Sequence, residues 1–347
     1  MRTTKDRQNG RWIRGLIIGI LIAAVLTVVK DEYARLLLSH ANYGMQALIT
    51  GQKEGKLDRE EGVNLFIGSS MFRKGLDIDL LDEGLEGDNY ILAYNGTRPF
   101  QCYEEIRYAV RKGVKIRHLY VDLYAYALNV EPWVEDSRLF LETDLSFKVE
   151  LWKEMRAYSE NRLKDFWELF VTANNERLLC WPVDYGLTNS MFRRGGYLSE
   201  DAGLSEEDCA DAESVVPDTA QVQINEAQAS YLRKLIALCR EEEIPITFIE
   251  TPKYRSVMYD AEYVALMRGY LGILNEEECP YYVVSDTALT CEDVLNQELL
   301  QGIVAVDTGK ASCYGDTVHL SGEGKREFTA ALTGTMADSE NGAQGKD

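Results

Sequence analysis

The hydrophobic pattern of the chain alternates between short apolar runs and longer amphipathic stretches. Apolar runs rich in β-branched and aromatic residues predict buried strands, and these runs lie at 63–67, 89–94, 116–123, 246–249 and 281–284. The stretches between them have helical periodicity, at about 100–111, 224–243 and 257–274, and a last helix is predicted at about 322–332. Strands that alternate with helices in this way predict an α/β fold with a parallel sheet.

Residues 131–220 interrupt the alternation, and we interpret them as an insertion of helices and loops. Within it, the acidic run Glu206 to Glu213 is more typical of a solvated loop than of a metal site. The tail 338–347 is polar and contains glycine, so it is predicted to be disordered. The folded domain is therefore predicted to span 59–337.

The N-terminus carries an apolar run, Leu16–Val29, behind five basic residues. The run is shorter than the roughly 20 residues of a membrane-spanning helix, but Trp12 and Ile13 extend it. No small-residue cleavage site directly follows Val29, and Ser39-His40-Ala41, which has suitable small residues, lies about ten positions too far on, which favours an uncleaved anchor over a cleaved signal peptide. The basic flank predicts a single-pass protein with a cytoplasmic N-terminus. Residues 1–30 are thus predicted to be a cytoplasmic tail and anchor, and 31–58 a juxtamembrane helical stalk in front of an extracytoplasmic domain.

Composition narrows the function classes. The 347 residues carry a formal net charge of −20, from 37 basic and 57 acidic side chains. Nucleic acid is not expected as a partner, because phosphate binding needs clustered Lys and Arg. The 7 cysteines are scattered, and no CxxC pair occurs. We therefore expect no structural zinc or other metal, no cofactor and no dense disulfide framework.

The first candidate catalytic residues are in Gly68-Ser69-Ser70, at the end of the first predicted strand. A serine there stands where open α/β sheets bind ligands, although the same tripeptide also makes ordinary turns. A serine nucleophile needs a base, usually histidine. Of the 3 histidines, His319 is the candidate base because Asp316 precedes it by one turn, within reach of the imidazole. The alternative is that Asp316 only caps a turn.

These segments together resemble the SGNH (GDSL-like) hydrolase superfamily. Gly68-Ser69-Ser70 matches its first block, with Ser70 as the nucleophile, and Asp316 and His319 match its last block. Asn95-Gly96 resembles the second block. The resemblance implies a flavodoxin-like fold with a five-stranded parallel sheet between helices. It also implies an oxyanion hole formed by the amides of Ser70 and Gly96, with Asn95 as a further donor.

Two positions depart from the superfamily pattern. The first block usually has aspartate between its glycine and its serine. Here that position is Ser69, and DltD-like proteins also have serine there. The third strand ends at Asp122 without the Gly-x-Asn-Asp of the third block, so the third oxyanion donor is either Asn95 or missing. A missing donor costs roughly 10²- to 10³-fold in rate.

With its anchor, the chain looks most like the DltD-like and AlgJ-like branch, which works with an integral membrane O-acyltransferase on cell-surface polymers. The resemblance thus implies a membrane-anchored serine acyl-transfer enzyme that puts acetyl or D-alanyl groups on a surface polysaccharide or teichoic acid. Two alternatives stay open: a surface esterase, and a non-catalytic partner of the acyltransferase. Aromatic residues of the insertion are candidates for stacking on sugar rings or for helix core: Trp133, Trp152, Trp167, Trp181 and Tyr197.

Overall fold

The structure is a computed structural model and describes residues 4–134, 138–172, 189–198, 202–205 and 223–344. Its first helix, α1, runs from Thr4 to Ser39 and contains one span, Trp12–Ser39, that is long and apolar enough to cross a membrane. Nearly all side chains of residues 12–29 are exposed. At 1.5 Å per residue this stretch covers about 27 Å, close to the ~30 Å hydrocarbon core of a bilayer.

The centre of the body is a six-stranded sheet in which every neighbouring pair is parallel. In spatial order its strands are β2 (Asp88–Ala93), β1 (Val63–Gly68), β3 (Ile116–Asp122), β6 (Ile246–Ile249), β7 (Tyr281–Val284) and β8 (Leu300–Val304). The first five follow the flavodoxin-like order. The predicted α/β fold with a parallel sheet between helices is confirmed. The predicted count of five strands is corrected to six, because β8 pairs with β7 at the edge.

Helices cover both faces of this sheet. The structure has α2 (Met45–Lys53), α3 (Ser70–Gly75), α4 (Ile78–Gly84), α5 (Pro99–Arg111), α6 (Arg138–Glu142), α7 (Leu145–Met155), α8 (Arg162–Trp167), α9 (Glu226–Glu241), α10 (Arg255–Met258), α11 (Ala261–Glu276), α12 (Ser285–Thr290) and α13 (Gly322–Gln344). A π-helical turn, Glu168–Thr172, continues α8.

Neighbouring residues of β3 show how the two faces are filled. Tyr120 points to the side of α4 and α13, and Val121 points to the side of α5, α9 and α11. Because successive side chains of a strand point to opposite faces, a strand covered on both sides is buried throughout and mostly apolar, and a polar residue in it, such as Asn64 of β1, is hydrogen-bonded. The central strand β1 is buried at every position for this reason.

The segment 31–58, predicted as a stalk, is part of the body. The end of α1 contacts the body from Lys30 onward, where Lys30, Asp31 and Ala34 are buried. The apolar face of α2, with Met45 and Leu48, belongs to the hydrophobic core. The apolar pattern of this segment therefore reflects packing against the domain and not a free-standing helix.

The described part of the insertion includes a two-stranded hairpin, β4 (Phe192–Arg193) and β5 (Gly196–Tyr197). The hairpin lies on the edge of the main sheet, where Ile91 of β2 donates its amide hydrogen to the carbonyl of Arg194. At the other end of the chain, α13 continues to Gln344 and so extends into the tail predicted to be disordered. The acidic run 206–213 and Trp181 lie outside the described residues.

Candidate active site

The tight turn between β1 and α3 positions the predicted nucleophile. Ser69 caps α3, because its Oγ accepts the amide hydrogen of Met71 over 3.1 Å. Gly68 permits the close approach of β3, since a Cβ at this position would lie 2.3 Å from Cβ of Asp122. Ser70 is the first residue of α3, so its amide has no acceptor within the helix. The turn thus presents a hydroxyl and a backbone donor at the carboxyl edge of the sheet.

Ser70, His319 and Asp316 form a continuous chain of hydrogen bonds. Ser70 Oγ lies 2.8 Å from Nε2 of His319, and Nδ1 of that ring lies 2.8 Å from Oδ2 of Asp316. A carboxylate only accepts hydrogen bonds, so Nδ1 carries the ring hydrogen and Nε2 accepts from the serine hydroxyl. This is the arrangement of a nucleophile, a base and the group that orients the base.

The turn from Asp316 to His319 fixes the base. Asp316 Oδ1 accepts the amide hydrogens of Val318 and His319 over 2.9 and 2.8 Å. Burial by itself would raise the pKa of the Asp316 carboxyl, but the hydrogen bonds from the His319 side chain and these two amides lower that pKa to about 2. Asp316 is therefore ionised at neutral pH and stabilises positive charge on the ring.

The predicted oxyanion donors lie in the turn that follows β2. This turn is beside the nucleophile turn, because the amide of Tyr94 donates to the carbonyl of Gly68 over 3.1 Å. Arg73 of α3 donates to Oδ1 of Asn95 over 2.6 Å, which orients the side-chain amide of that exposed residue. The structure therefore brings Asn95 and Gly96 next to the nucleophile turn without a direct hydrogen bond to Ser70 among the contacts of the described residues.

Asp122 is a site residue that the sequence prediction treated only as a departure from the family pattern. Its Oδ2 accepts the hydroxyl hydrogen of Ser69 over 2.6 Å and the amide hydrogen of Ser69 over 3.2 Å. It stands at the end of β3, where the resemblance would place the third oxyanion donor. Burial raises the pKa of the Asp122 carboxyl, while the charge of Lys253 and the bonds from Ser69 act against this rise. Asp122 therefore fixes the backbone of the nucleophile turn through its two hydrogen bonds with Ser69.

Lys253 lies in the loop after β6 and was also missed. Its side chain is 0% exposed, and Nζ donates to the carbonyl of Thr251 over 2.6 Å. Burial lowers the pKa of the Lys253 amine, and the carboxylates of Glu250 and Asp122 raise it. The next residue in the chain, Tyr254, donates its amide hydrogen to the carbonyl of Thr317. The loop therefore places a positive charge near Asp122 and is also hydrogen-bonded to the turn that carries His319.

The other two histidines lie elsewhere. His118 is on β3, stacks on Tyr120 at 4.2 Å, and places Nε2 2.8 Å from Oγ1 of Thr247. Burial lowers the pKa of His118 to about 4, so this ring is neutral at physiological pH. His40 is exposed in the turn after α1. His319 is therefore the one histidine that contacts the candidate nucleophile.

The aromatic residues proposed for sugar stacking are dispersed. Trp152 and Trp167 belong to α7 and α8, and Trp133 packs partly buried against the core. Tyr197 of the hairpin packs against Phe192, and its carbonyl accepts a hydrogen bond from Lys325 of α13. Among the described residues, Tyr197 is the proposed stacking residue held against the helix that follows His319.

One group of potential metal ligands occurs in the described part of the chain. Ligand atoms of Cys313, Glu323 and Glu327 lie within 4.8 Å of one another. Lys310 pairs with both carboxylates, over 2.8 and 2.5 Å. The cluster is thus a charge-compensated surface network around an ammonium group.

Comparisons with known proteins add no assignment. No protein-family model matches the chain, and no curated protein matches it. A function for this chain therefore has to be argued from the geometry of the site.

Proposed function

We propose that the chain is a membrane-anchored serine acyl-transfer enzyme of the SGNH type, with Ser70 as nucleophile, His319 as general base and Asp316 as the group that orients the base. The observation that carries this proposal is the continuous chain Ser70 Oγ–His319 Nε2 and His319 Nδ1–Asp316 Oδ2, with both distances 2.8 Å. It lies at the carboxyl edge of a parallel sheet, where such folds bind their ligands. The sequence resemblance points to the same three residues.

The first half of the proposed reaction forms an acyl-enzyme. Ser70 Oγ attacks the carbonyl carbon of an acyl donor while its proton passes to Nε2 of His319. The carboxylate of Asp316 stabilises the imidazolium that forms. The carbonyl oxygen becomes an oxyanion, for which the amides of Ser70 and Gly96 and the side chain of Asn95 are the proposed donors. The tetrahedral intermediate then collapses, and the leaving group takes the proton from His319.

The second half transfers the acyl group. An acceptor hydroxyl enters, gives its proton to His319 and attacks the acyl carbon, and Ser70 takes that proton back as it leaves. When the acceptor is a polymer hydroxyl the result is O-acylation, and when it is water the result is hydrolysis. The residues of the triad are the same in both cases, so the acceptor decides between transferase and esterase.

A phosphonate probe tests the nucleophile. The full-length chain should form a covalent adduct at Ser70, and the Ser70→Ala and His319→Ala variants should each lose the reaction. In hydrolysis of a simple acetyl ester, the double variant should be barely slower than either single variant, because residues that act as one unit have non-additive effects. Ser69→Ala is the matched control, since it removes a neighbouring hydroxyl from the same turn. An adduct on Ser69, or full labelling of Ser70→Ala, would contradict the assignment.

The anchor favours transfer over hydrolysis. A helix long and apolar enough to span a membrane joins the body without a free stalk, since contact with the body begins at Lys30. In a bilayer this holds the site near the membrane surface and raises the effective concentration of a membrane-bound donor. We therefore propose an integral membrane O-acyltransferase as partner, a surface polysaccharide or teichoic acid as acceptor, and an extracytoplasmic body. The basic flank before the apolar run supports this orientation.

Removing the anchor separates the two acceptors. A chain exported by a cleavable signal and beginning at Lys30 keeps every residue that the body buries. It should hydrolyse a simple acetyl ester at the rate of the full chain and fail to acylate the polymer in cells. Unchanged polymer acylation would remove the argument from tethering and favour the surface esterase. Absence of any phosphonate adduct on the folded chain would favour the non-catalytic partner.

A further inference from the structure

Helices α7 and α8 expose an unusual number of large apolar side chains. On α8, Leu163 is 86% exposed and Trp167 is 55% exposed, with Phe166 between them at 41%. On α7, Leu145 and Val149 are 54% and 42% exposed. Contiguous exposed apolar surface of this kind marks a site of interaction with a protein or a membrane.

These side chains form one continuous surface, which we call the α7–α8 surface. Leu145, Val149 and Trp152 are spaced by four and three residues, so they share one face of α7. The ring of Trp152 meets the ring of Phe166 at 5.7 Å, which joins this face to α8. The surface therefore runs from the start of α7 to Trp167.

The α7–α8 surface lies beside the point where α1 leaves the body. Lys148 of α7 stands between Leu145 and Val149 in the sequence, and it forms a buried ion pair with Asp31. Asp31 comes only two residues after Val29, the last residue of the exposed apolar run. The apolar surface of the body is thus adjacent to the end of the candidate membrane span.

The charge of this region differs from that of the whole chain. Residues 145–172 contain five basic and five acidic side chains, whereas the chain has a net charge of −20. Arg162 and Lys164 flank Leu163, the most exposed of the apolar residues. Long basic side chains beside an aromatic and aliphatic cluster are typical of the membrane interface, where they reach the headgroups while the apolar groups insert.

We propose that the α7–α8 surface rests in the interfacial region of the bilayer that α1 spans, with Leu163, Phe166 and Trp167 at the level of the headgroups. This inference rests on the anchoring part of the proposed function and is independent of the acyl-transfer chemistry. The body then has two attachments to one membrane, a spanning helix and an interfacial helix pair. Two attachments fix its tilt as well as its distance from the bilayer.

Photo-crosslinking of the full-length chain in vesicles of phosphatidylethanolamine and phosphatidylglycerol tests the proposal. A benzophenone amino acid replaces Leu163 in one variant and Leu289 in a second, which is the matched control because it is also a leucine and is 72% exposed. A third variant carries the label at Ile22, within the apolar run. We expect lipid adducts from positions 163 and 22, with about tenfold less adduct from position 289.

The three positions separate the possible failures. Lipid adducts from 22 but not from 163 would overturn the proposal and leave the anchor in place. Adducts from 163 to a second copy of the chain would overturn it in favour of a dimer interface. No lipid adduct from 22 would show that the anchoring itself is wrong. As an independent measurement, brominated lipids should quench tryptophan fluorescence less in Trp167→Phe than in the unsubstituted chain, and equal quenching would count against the surface. Loss of phosphonate labelling at Ser70 would leave all of these results unchanged.

Discussion

Replacing Asp122 tests whether the buried carboxylate behind the nucleophile turn positions Ser70. In Asp122→Asn the side chain keeps its size and one acceptor oxygen but loses its charge. In Asp122→Ala the hydroxyl and amide of Ser69 lose the acceptor that they share over 2.6 and 3.2 Å. The buried amine of Lys253 also loses one of its two carboxylates, and Glu250 remains. The two variants therefore separate the loss of charge from the loss of the acceptor.

The structure sets the size of the expected effects. A hydrogen bond to a charged group contributes about 1.5–3 kcal/mol, and an uncharged one about 1 kcal/mol. Asp122→Asn should therefore lower the free energy of unfolding by about 1–2 kcal/mol. Asp122→Ala leaves a buried charge with less compensation and should cost about 3–5 kcal/mol. A shift of the serine by about 1 Å reduces rates by roughly 10²-fold, so we expect Asp122→Asn to slow acylation of Ser70 by about 10- to 100-fold.

Two measurements are needed on the same variants. Urea unfolding gives the stability, and the single-turnover rate of phosphonate labelling reports the reactivity of Ser70 in the folded fraction. Asp307→Asn, an exposed aspartate elsewhere, is the control and should change neither quantity by more than about 0.5 kcal/mol. If folded Asp122→Asn labels Ser70 at the rate of the unsubstituted chain, Asp122 supports the fold only and the positioning role is refuted.

Local geometry gives three further predictions. Ser69→Ala removes both the cap of α3 and the hydroxyl hydrogen bond to the buried Asp122, so it should cost about 2–4 kcal/mol of stability. The Ser69 amide still donates to Asp122, so Ser70 should still form the phosphonate adduct; complete inactivation of the folded variant would show that the nucleophile register is off by one. Hydrogen bonds lower the pKa of Asp316 from 3.8 to about 2, so its stabilising contribution is complete above about pH 5 and is lost as the pH falls through 2. Because its side chain is 51% exposed, that contribution is below about 1 kcal/mol after solvent screening, and the stability difference from Asp316→Asn should shrink by this amount between pH 5 and pH 2. Gly195 and Gly113 both have positive φ, but only at Gly195 would an added Cβ lie 1.6 Å from a backbone atom, the carbonyl oxygen of Ile91. Gly195→Ala should therefore lower the melting temperature of the protein far more than Gly113→Ala. Equal losses would contradict the packing of the hairpin against β2.

The strands that the sequence predicts best are those buried on both faces. Ile246–Ile249 and Tyr281–Val284 agree with the prediction at both ends, because a continuous apolar run between polar loops has clear limits. Leu300–Val304 was missed because it is a short edge strand with alternating exposure and a glycine at its centre. An apolar face of a helix is visible in the sequence, but its partner is not, and α2 was therefore taken for part of a stalk.

The residues of the candidate site also fall into two groups, those that the local sequence pattern predicts and those that it does not. Asp316 and His319 are three residues apart, and Ser70 follows an unmistakable strand, so local pattern was enough to select them. Asp122 contacts Ser69, and Tyr254, the residue after Lys253, contacts the His319 turn, only because parallel strands distant in the sequence end at one edge of the sheet. Asp122 is the last residue of one strand and Lys253 lies four residues after the end of another. A polar residue near the end of a strand was the available signal for both, and it does not specify which polar groups will meet.

The continuity of α1 has a consequence for helical phase. The helix passes from its exposed apolar run into the body without a break, with Lys30, Asp31 and Ala34 already buried. Each residue of an α-helix adds about 100° of rotation and 1.5 Å of rise. One residue inserted before Lys30 would therefore turn the whole body by about 100° about the helix axis, and seven residues would return it to within about 20° of its original phase. If α1 spans a membrane, the length of the apolar run thus sets which side of the body faces a protein bound to the apolar part of α1.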